Sequence, residues 1–218
     1  MCYSASVSYG SAAVLMATGA VTTFKNNSKQ QRMVAAIPFL FGLQQVAEGI
    51  VWQSMGHESA NSLRDLGVFM FLTFALVIWP TWLPWSFYPI ETNTNRKRIL
   101  KVIGVTGVGV SILVASVLYS INVKAYIAGH SLAYAFPGFQ RSWPANIEAL
   151  LYFTATVVPF FISSLRTIKI AGYLVFGSML LAKAINRETE TSVWCFFAAL
   201  ISFYIAVNVL WLQKGKLS

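Results

Sequence analysis

With 218 residues, 56% of them hydrophobic and only 11% charged, the chain has too little charge to coat a water-facing surface; soluble domains carry roughly 25% charged residues. The net charge of +9 could suggest nucleic acid as a partner, but its placement argues against it, because the Lys and Arg sit in short stretches between apolar runs and form no basic stripe. The start, Met1 to Ser6, has no basic n-region, and Cys2 precedes an apolar stretch, so neither a cleaved signal peptide nor a lipoprotein cysteine is expected.

Taken in chain order, the apolar runs predict an all-α, polytopic transmembrane bundle forming one domain over residues 1–218. Seven helices are expected, at about 6–24, 33–54, 67–89, 101–122, 146–165, 169–184 and 192–213. A spanning helix needs roughly 17–25 residues. Only the sixth run falls short: Lys169 and Lys183 bound about 13 apolar residues, and these lysines must snorkel from its ends.

Connector charge tests that count. With the N-terminus outside and the C-terminus inside, the inner connectors hold Lys25, Lys29, Arg32, Arg96, Lys97, Arg98, Lys101, Arg166, Lys169, Lys214 and Lys216, eleven of the sixteen basic residues. Arg64, Lys124, Arg141, Lys183 and Arg187 stay outside, diluted by Glu58, Asp65, Glu188 and Glu190. Lys and Arg near helix ends set orientation, and they separate this way only if the sixth helix also spans. One outer connector, Ala125 to Asn146, is too apolar for a solvated loop. It is expected to lie in the interface or to fold over the outer mouth of the bundle. Ser142 and Pro144 mark the start of the fifth helix.

Several familiar motifs fail on inspection. Retinal needs a lysine near the bilayer midplane, whereas Lys169 and Lys183 flank the sixth helix. Gly104, Gly107 and Gly109 lie in an apolar run with no strand and no Lys-Ser/Thr, so they are packing residues and not a phosphate loop. Pro80 and Pro84 should kink the third helix, with Trp79, Trp82 and Trp85 forming an aromatic belt.

Glu48 is different in kind, being the one acidic residue well inside any spanning run. Gln44 lies four residues before it, and Gln45, Glu48 and Trp52 share a helix face. A carboxylate at membrane depth is costly and marks a functional site by default; the competing reading is a protonated, purely structural interhelical hydrogen bond. The N-out topology places Cys2, Glu48, His130, Glu148 and Cys195 at one outer depth, under the connector that carries His130 and Tyr134. Glu48, Gln44, Gln45, Trp52, His130, Tyr134 and Glu148 are therefore the candidate ligand-binding residues. Cys2, Cys195, Glu48 and His130 would also suit zinc or another soft metal, although no CxxC or HExxH spacing supports it. A Cys2–Cys195 disulfide and two free thiols are the rival readings.

Met1-Cys2-Tyr3-Ser4-Ala5-Ser6, Gln44-Gln45 with Glu48-Gly49 and Trp52, and Ser192-Val193-Trp194-Cys195-Phe196-Phe197-Ala198-Ala199 resemble segments of an uncharacterised family of bacterial multi-pass membrane proteins that open Met-Cys-Phe-Ser-Ala. Tyr3 stands here for the usual Phe. The resemblance spans nearly the whole chain and implies a bacterial inner-membrane location but no activity. Two functions compete at this point. One is a sensor, carrier or transporter whose outer-facing polar pocket around Glu48 binds a small ligand or metal. The other is a membrane-embedded metal- or thiol-dependent hydrolase or transferase acting on a lipid, although the spanning runs carry no histidine. A structural or assembly role has no positive sign in the sequence.

Overall fold

The computed structural model describes residues 4–137 and 145–214. Helix α1 (Ala5–Lys25) starts where the Val7 backbone N–H donates to the Ser4 hydroxyl, and it ends on Lys25, whose charge suits the negative end of the helix dipole. After a turn, α2 (Arg32–Ala35) and α3 (Ile37–Ser54) run back antiparallel to α1, with a bend at Ala36. Pro38 sits in the first turn of α3, where its missing N–H removes no helical bond. Glycine permits the close contact between these helices: a Cβ on Gly49 would lie 2.7 Å from the Tyr9 ring.

The third run folds as one rod made of α4 (Asn61–Leu72), a π-helical turn (Thr73–Ile78) and α5 (Trp79–Phe87). Pro80 has no N–H to return to the preceding turn, and the register widens just before it. Neighbouring helices take up the carbonyls this loosens. The Tyr152 hydroxyl donates to Ala75 O at 2.5 Å, and the Ser111 hydroxyl donates to Val77 O at 2.6 Å. Pro84 frees the Pro80 carbonyl in the same way, and α6 (Thr94–Ser120) packs onto it through Gly107, where a Cβ would lie 2.0 Å from that oxygen. Gly104 similarly receives the Trp85 ring, whereas Gly109 faces open space.

The apolar connector is a β-hairpin, a departure from the all-α expectation. Strand β1 (Lys124–Ala128) pairs antiparallel with β2 (Ser131–Ala135) around the two-residue turn Gly129–His130. Gly129 has φ +63°, which suits the first central position of a type II′ turn. Leu132 and Ala133 are fully buried, and the Tyr134 ring stacks on Phe71 of α4 at 5.2 Å. The hairpin therefore packs over one end of the bundle. Ser142 and Pro144 lie outside the described residues.

The fifth run, expected as one helix over 146–165, is split. Helix α7 (Ala145–Thr156) gives way at Val157 to the short α8 (Val158–Ile162), because Pro159 cannot donate to the Ala155 carbonyl four residues back. The short sixth run is the opposite case. Helix α9 (Arg166–Ile185) includes Lys169 and Lys183 within its own turns and reaches 20 residues. Helix α10 (Glu190–Lys214) closes the chain. Among the described residues, six helical segments are long and apolar enough to cross a membrane: Ala5–Lys25, Lys29–Ser54, Asn61–Ile90, Thr94–Ser120, Arg166–Ile185 and Arg187–Asn208.

At the end of the bundle opposite the hairpin, three connectors meet. The turn Lys29–Gln31 packs against Tyr88–Ile90. Next to it Glu91, only 3% exposed, accepts hydrogen bonds from the backbone N–H groups of Thr92, Asn93 and Ser164 and from the Ser164 hydroxyl, at 2.6–2.9 Å. Burial alone would push the Glu91 carboxyl up. The hydrogen bonds from Asn93, Ser164 and Thr92 outweigh it and hold the group below its ordinary range. Arg96 completes the junction by donating to the Ser164 hydroxyl at 3.0 Å.

Candidate functional site

The α3 helix carries the polar centre. Gln44, Gln45 and Glu48 are each 0% exposed, so every polar atom they bring must be satisfied inside the protein. Gln45 Nε2 donates to Glu48 Oε2 at 3.0 Å, one turn along the same helix. The Ser192 hydroxyl of α10 donates to the other carboxylate oxygen, Oε1. Gln44 turns toward α5, and its Oε1 accepts from the Trp79 indole N–H at 2.8 Å, while the Trp79 ring stacks on Phe41 at 4.0 Å. The Cys195 thiol, free and buried, stands one turn beyond Ser192 and lies beside Gln44 and Glu48. Helices α3 and α10 thus meet at the carboxylate, and α5 reaches the neighbouring Gln44.

Two buried donors remain over. Gln44 Nε2 and the Trp52 indole N–H have no hydrogen-bond partner among the described residues. Gln44, Glu48 and Trp52 lie at i, i+4 and i+8, one stripe extending about 12 Å along the helix. The stripe runs from the bundle interior to the underside of the hairpin, where Trp52 packs in the same apolar cluster as Leu132 and Tyr134. Each unpaired buried donor costs roughly 1–3 kcal/mol. Deeper in, a cavity of about 40 Å³ is bordered by Trp79, Cys195, Tyr152, Thr156 and Trp194.

The residues expected at one depth are brought together only in part. Gln44, Gln45, Glu48 and Cys195 come together, with Trp52 and Tyr134 above them. His130 sits exposed at the hairpin tip, and Glu148 is half-buried in the first turn of α7. Among the described residues no three His, Cys, Asp or Glu side chains converge on a common point. Of the zinc set, only Glu48 and Cys195 are neighbours; Cys2, which the disulfide reading also needs, lies outside the described residues. Trp79 and Ser192 were missed as site residues. Trp79 is 4% exposed, a core residue and not part of an aromatic belt. Its signal was available: it lies in the middle of the charge-free run, not near an end. Ser192 opens the family-like segment Ser192–Ala199 and lies three residues before Cys195, the same helix face.

The bundle of apolar helices, with its buried carboxylate, defines an integral membrane protein. The chain belongs to a family of unknown function, DUF6629, whose model matches residues 1–216. No curated protein and no solved structure matches it.

Proposed function

We propose that this is a bacterial inner-membrane protein that binds a small ligand in the layer around Glu48, as a sensor, carrier or transporter does. In this reading the chain crosses the bilayer seven times, the bent pair α7–α8 serving as the fifth crossing. The N-terminus and the hairpin then face outward and the C-terminus inward, which agrees with the concentration of basic residues at the Glu91 end. The single observation that carries the reading is the pair of unpaired buried donors, Gln44 Nε2 and Trp52 Nε1, flanking Glu48 on one stripe. A ligand with acceptor atoms would satisfy both, and its own donor or positive charge would meet the carboxylate. The hairpin is the entrance, because Trp52 ends the stripe directly beneath it.

The test is a thermal-shift screen of the purified full-length protein in detergent, using small polar metabolites and Zn²⁺, run in parallel on Glu48→Gln. A ligand of this site raises the melting temperature of the wild type and loses that effect in E48Q. A variant that keeps the whole shift would refute the site, and elemental analysis of the same preparation tests the metal form of the reading. A thiol-dependent lipid enzyme finds less support: the two histidines, His57 and His130, are both exposed, and no imidazole reaches Cys195 among the described residues.

A further inference from the structure

The outer faces of α6 and α9 repeat one pattern that the ligand site does not use. On α6, Lys101 is followed at i+4 by Val105, at i+8 by Gly109 and at i+11 by Ile112. On α9, Lys169 is followed at the same intervals by Tyr173, Gly177 and Leu180. The large apolar members are at least half exposed, from 51% at Leu180 to 66% at Tyr173. Both glycines face open space, with no atom within 4 Å of a built Cβ. Each face therefore presents a basic end, an apolar stripe and a shallow notch about 12 Å below the lysine. From lysine to last apolar residue the stripe covers about 16 Å, close to half of a hydrocarbon core roughly 30 Å thick.

The basic ends are reinforced. Arg98 stands beside Lys101 on α6, and Arg166 opens the first turn of α9. Arg166 and Lys169 lie at the start of α9, where the helix dipole adds positive potential, whereas on α6 the charge comes from the side chains themselves. Glu91 is the one acidic residue at this end among the described residues, and it is buried with its oxygens occupied. The hairpin end lacks this excess, because Lys183 pairs with Glu190 at 3.5 Å and Arg64 and Arg187 stand beside Asp65 and Glu188.

We propose that these two faces are seats for anionic phospholipid, the headgroup phosphate held by Arg98 and Lys101 on α6 and by Arg166 and Lys169 on α9, with one acyl chain lying over Gly109 or Gly177. Charge selects the headgroup, and the exposed stripe with its notch selects a chain-bearing ligand over a free anion. The inference rests on the membrane-spanning reading alone and is independent of what binds at Glu48.

The experiment follows thermal unfolding of the full-length protein in neutral detergent with added phosphatidylglycerol, phosphatidylcholine of the same chains, or inorganic phosphate. Phosphatidylglycerol should stabilise at concentrations where phosphatidylcholine and phosphate do not. Neutralising Arg98→Gln and Lys101→Gln together should weaken its apparent affinity by about 5-fold per charge removed. The same neutralisation at the other end, Lys124→Gln with Arg187→Gln, should leave the preference intact. Gly109→Phe should reduce the lipid effect with every charge in place. Equal stabilisation by phosphatidylcholine, a full phosphatidylglycerol preference in R98Q/K101Q, or a phosphate effect matching that of the lipid would each overturn the proposal.

Discussion

Gly107 and Gly109 lie two residues apart on α6, yet adding one methyl group to each should have opposite results. A Cβ at position 107 would lie 2.0 Å from the Pro80 carbonyl oxygen. Carbon–oxygen contacts settle no closer than about 3.3 Å, so α5 and α6 must part by roughly 1.3 Å along that line. The contact is backbone on both sides, and no side chain can rotate away. Separation would also pull Ser111 from the Val77 carbonyl and from Thr81, bonds of 2.6 and 2.9 Å that secure the π-helical turn. Overpacking of a tight interior costs about 1–3 kcal/mol, and the loss of one interhelical hydrogen bond in a membrane adds about 0.6 kcal/mol. Gly107→Ala is thus expected to destabilise by roughly 2–4 kcal/mol. At Gly109 nothing stands within 4 Å, and alanine is the better helix former by up to about 1 kcal/mol. Gly109→Ala should be neutral or mildly stabilising. Reversible SDS unfolding of both variants in mixed micelles gives the comparison. A G107A protein within about 0.5 kcal/mol of wild type would refute the packing described between α5 and α6.

A double-mutant cycle of Glu48→Leu and Ser192→Ala should show coupling of about 0.5–2 kcal/mol in the same unfolding assay, since each change removes the other's partner; strictly additive effects would deny the α3–α10 hydrogen bond. Glu91 has a depressed folded-state value, so its contribution is present above the ordinary carboxylate value of 4.5 and is lost as pH falls through the depressed one. The stability gap between wild type and Glu91→Gln should accordingly be flat near neutrality and shrink on acidification below about 4.5; a gap that grows on acidification would contradict the assignment. Buried Cys195 should resist maleimide in a Cys2→Ser background until SDS unfolds the protein. Leu132→Ala leaves a cavity under the hairpin worth about 2–5 kcal/mol and should speed that labelling severalfold; an unchanged rate would mean that the hairpin does not cover the thiol.

The positions of the spanning helices were legible because hydropathy over about 20 residues reports lipid exposure directly. The same measure is blind to single backbone donors. It passed over Pro159, which divides the fifth run, and it shortened the sixth by treating Lys169 and Lys183 as limits when the helix absorbs both. The hairpin did carry a signal, five residues on either side of Gly129–His130, but alternation was obscured because apolar residues occupy both faces of each strand. Glu48 stood out since charge inside an apolar run is conspicuous. Ser192 and Trp79 did not, because a hydroxyl or an indole N–H scarcely alters hydropathy while deciding which oxygen a buried carboxylate or amide shows to its neighbours. DUF6629 membership covers the same length as the helices and adds no chemistry to them.

The Glu91 junction has a mechanical consequence. Four directional hydrogen bonds to one carboxylate fasten the α5–α6 and α8–α9 connectors together at a single point, whereas at the far end apolar packing under the hairpin is joined by the longer, exposed contacts Lys183–Glu190 and Tyr126–Glu188. A structure fastened so unevenly opens as tweezers do, around its fixed end. Helix α6 is 27 residues long, about 40 Å, so a tilt of only about 5° about the Glu91 junction moves its hairpin end by roughly 3 Å, the width of a water molecule. A rotation of that size would be enough to let water in above Trp52.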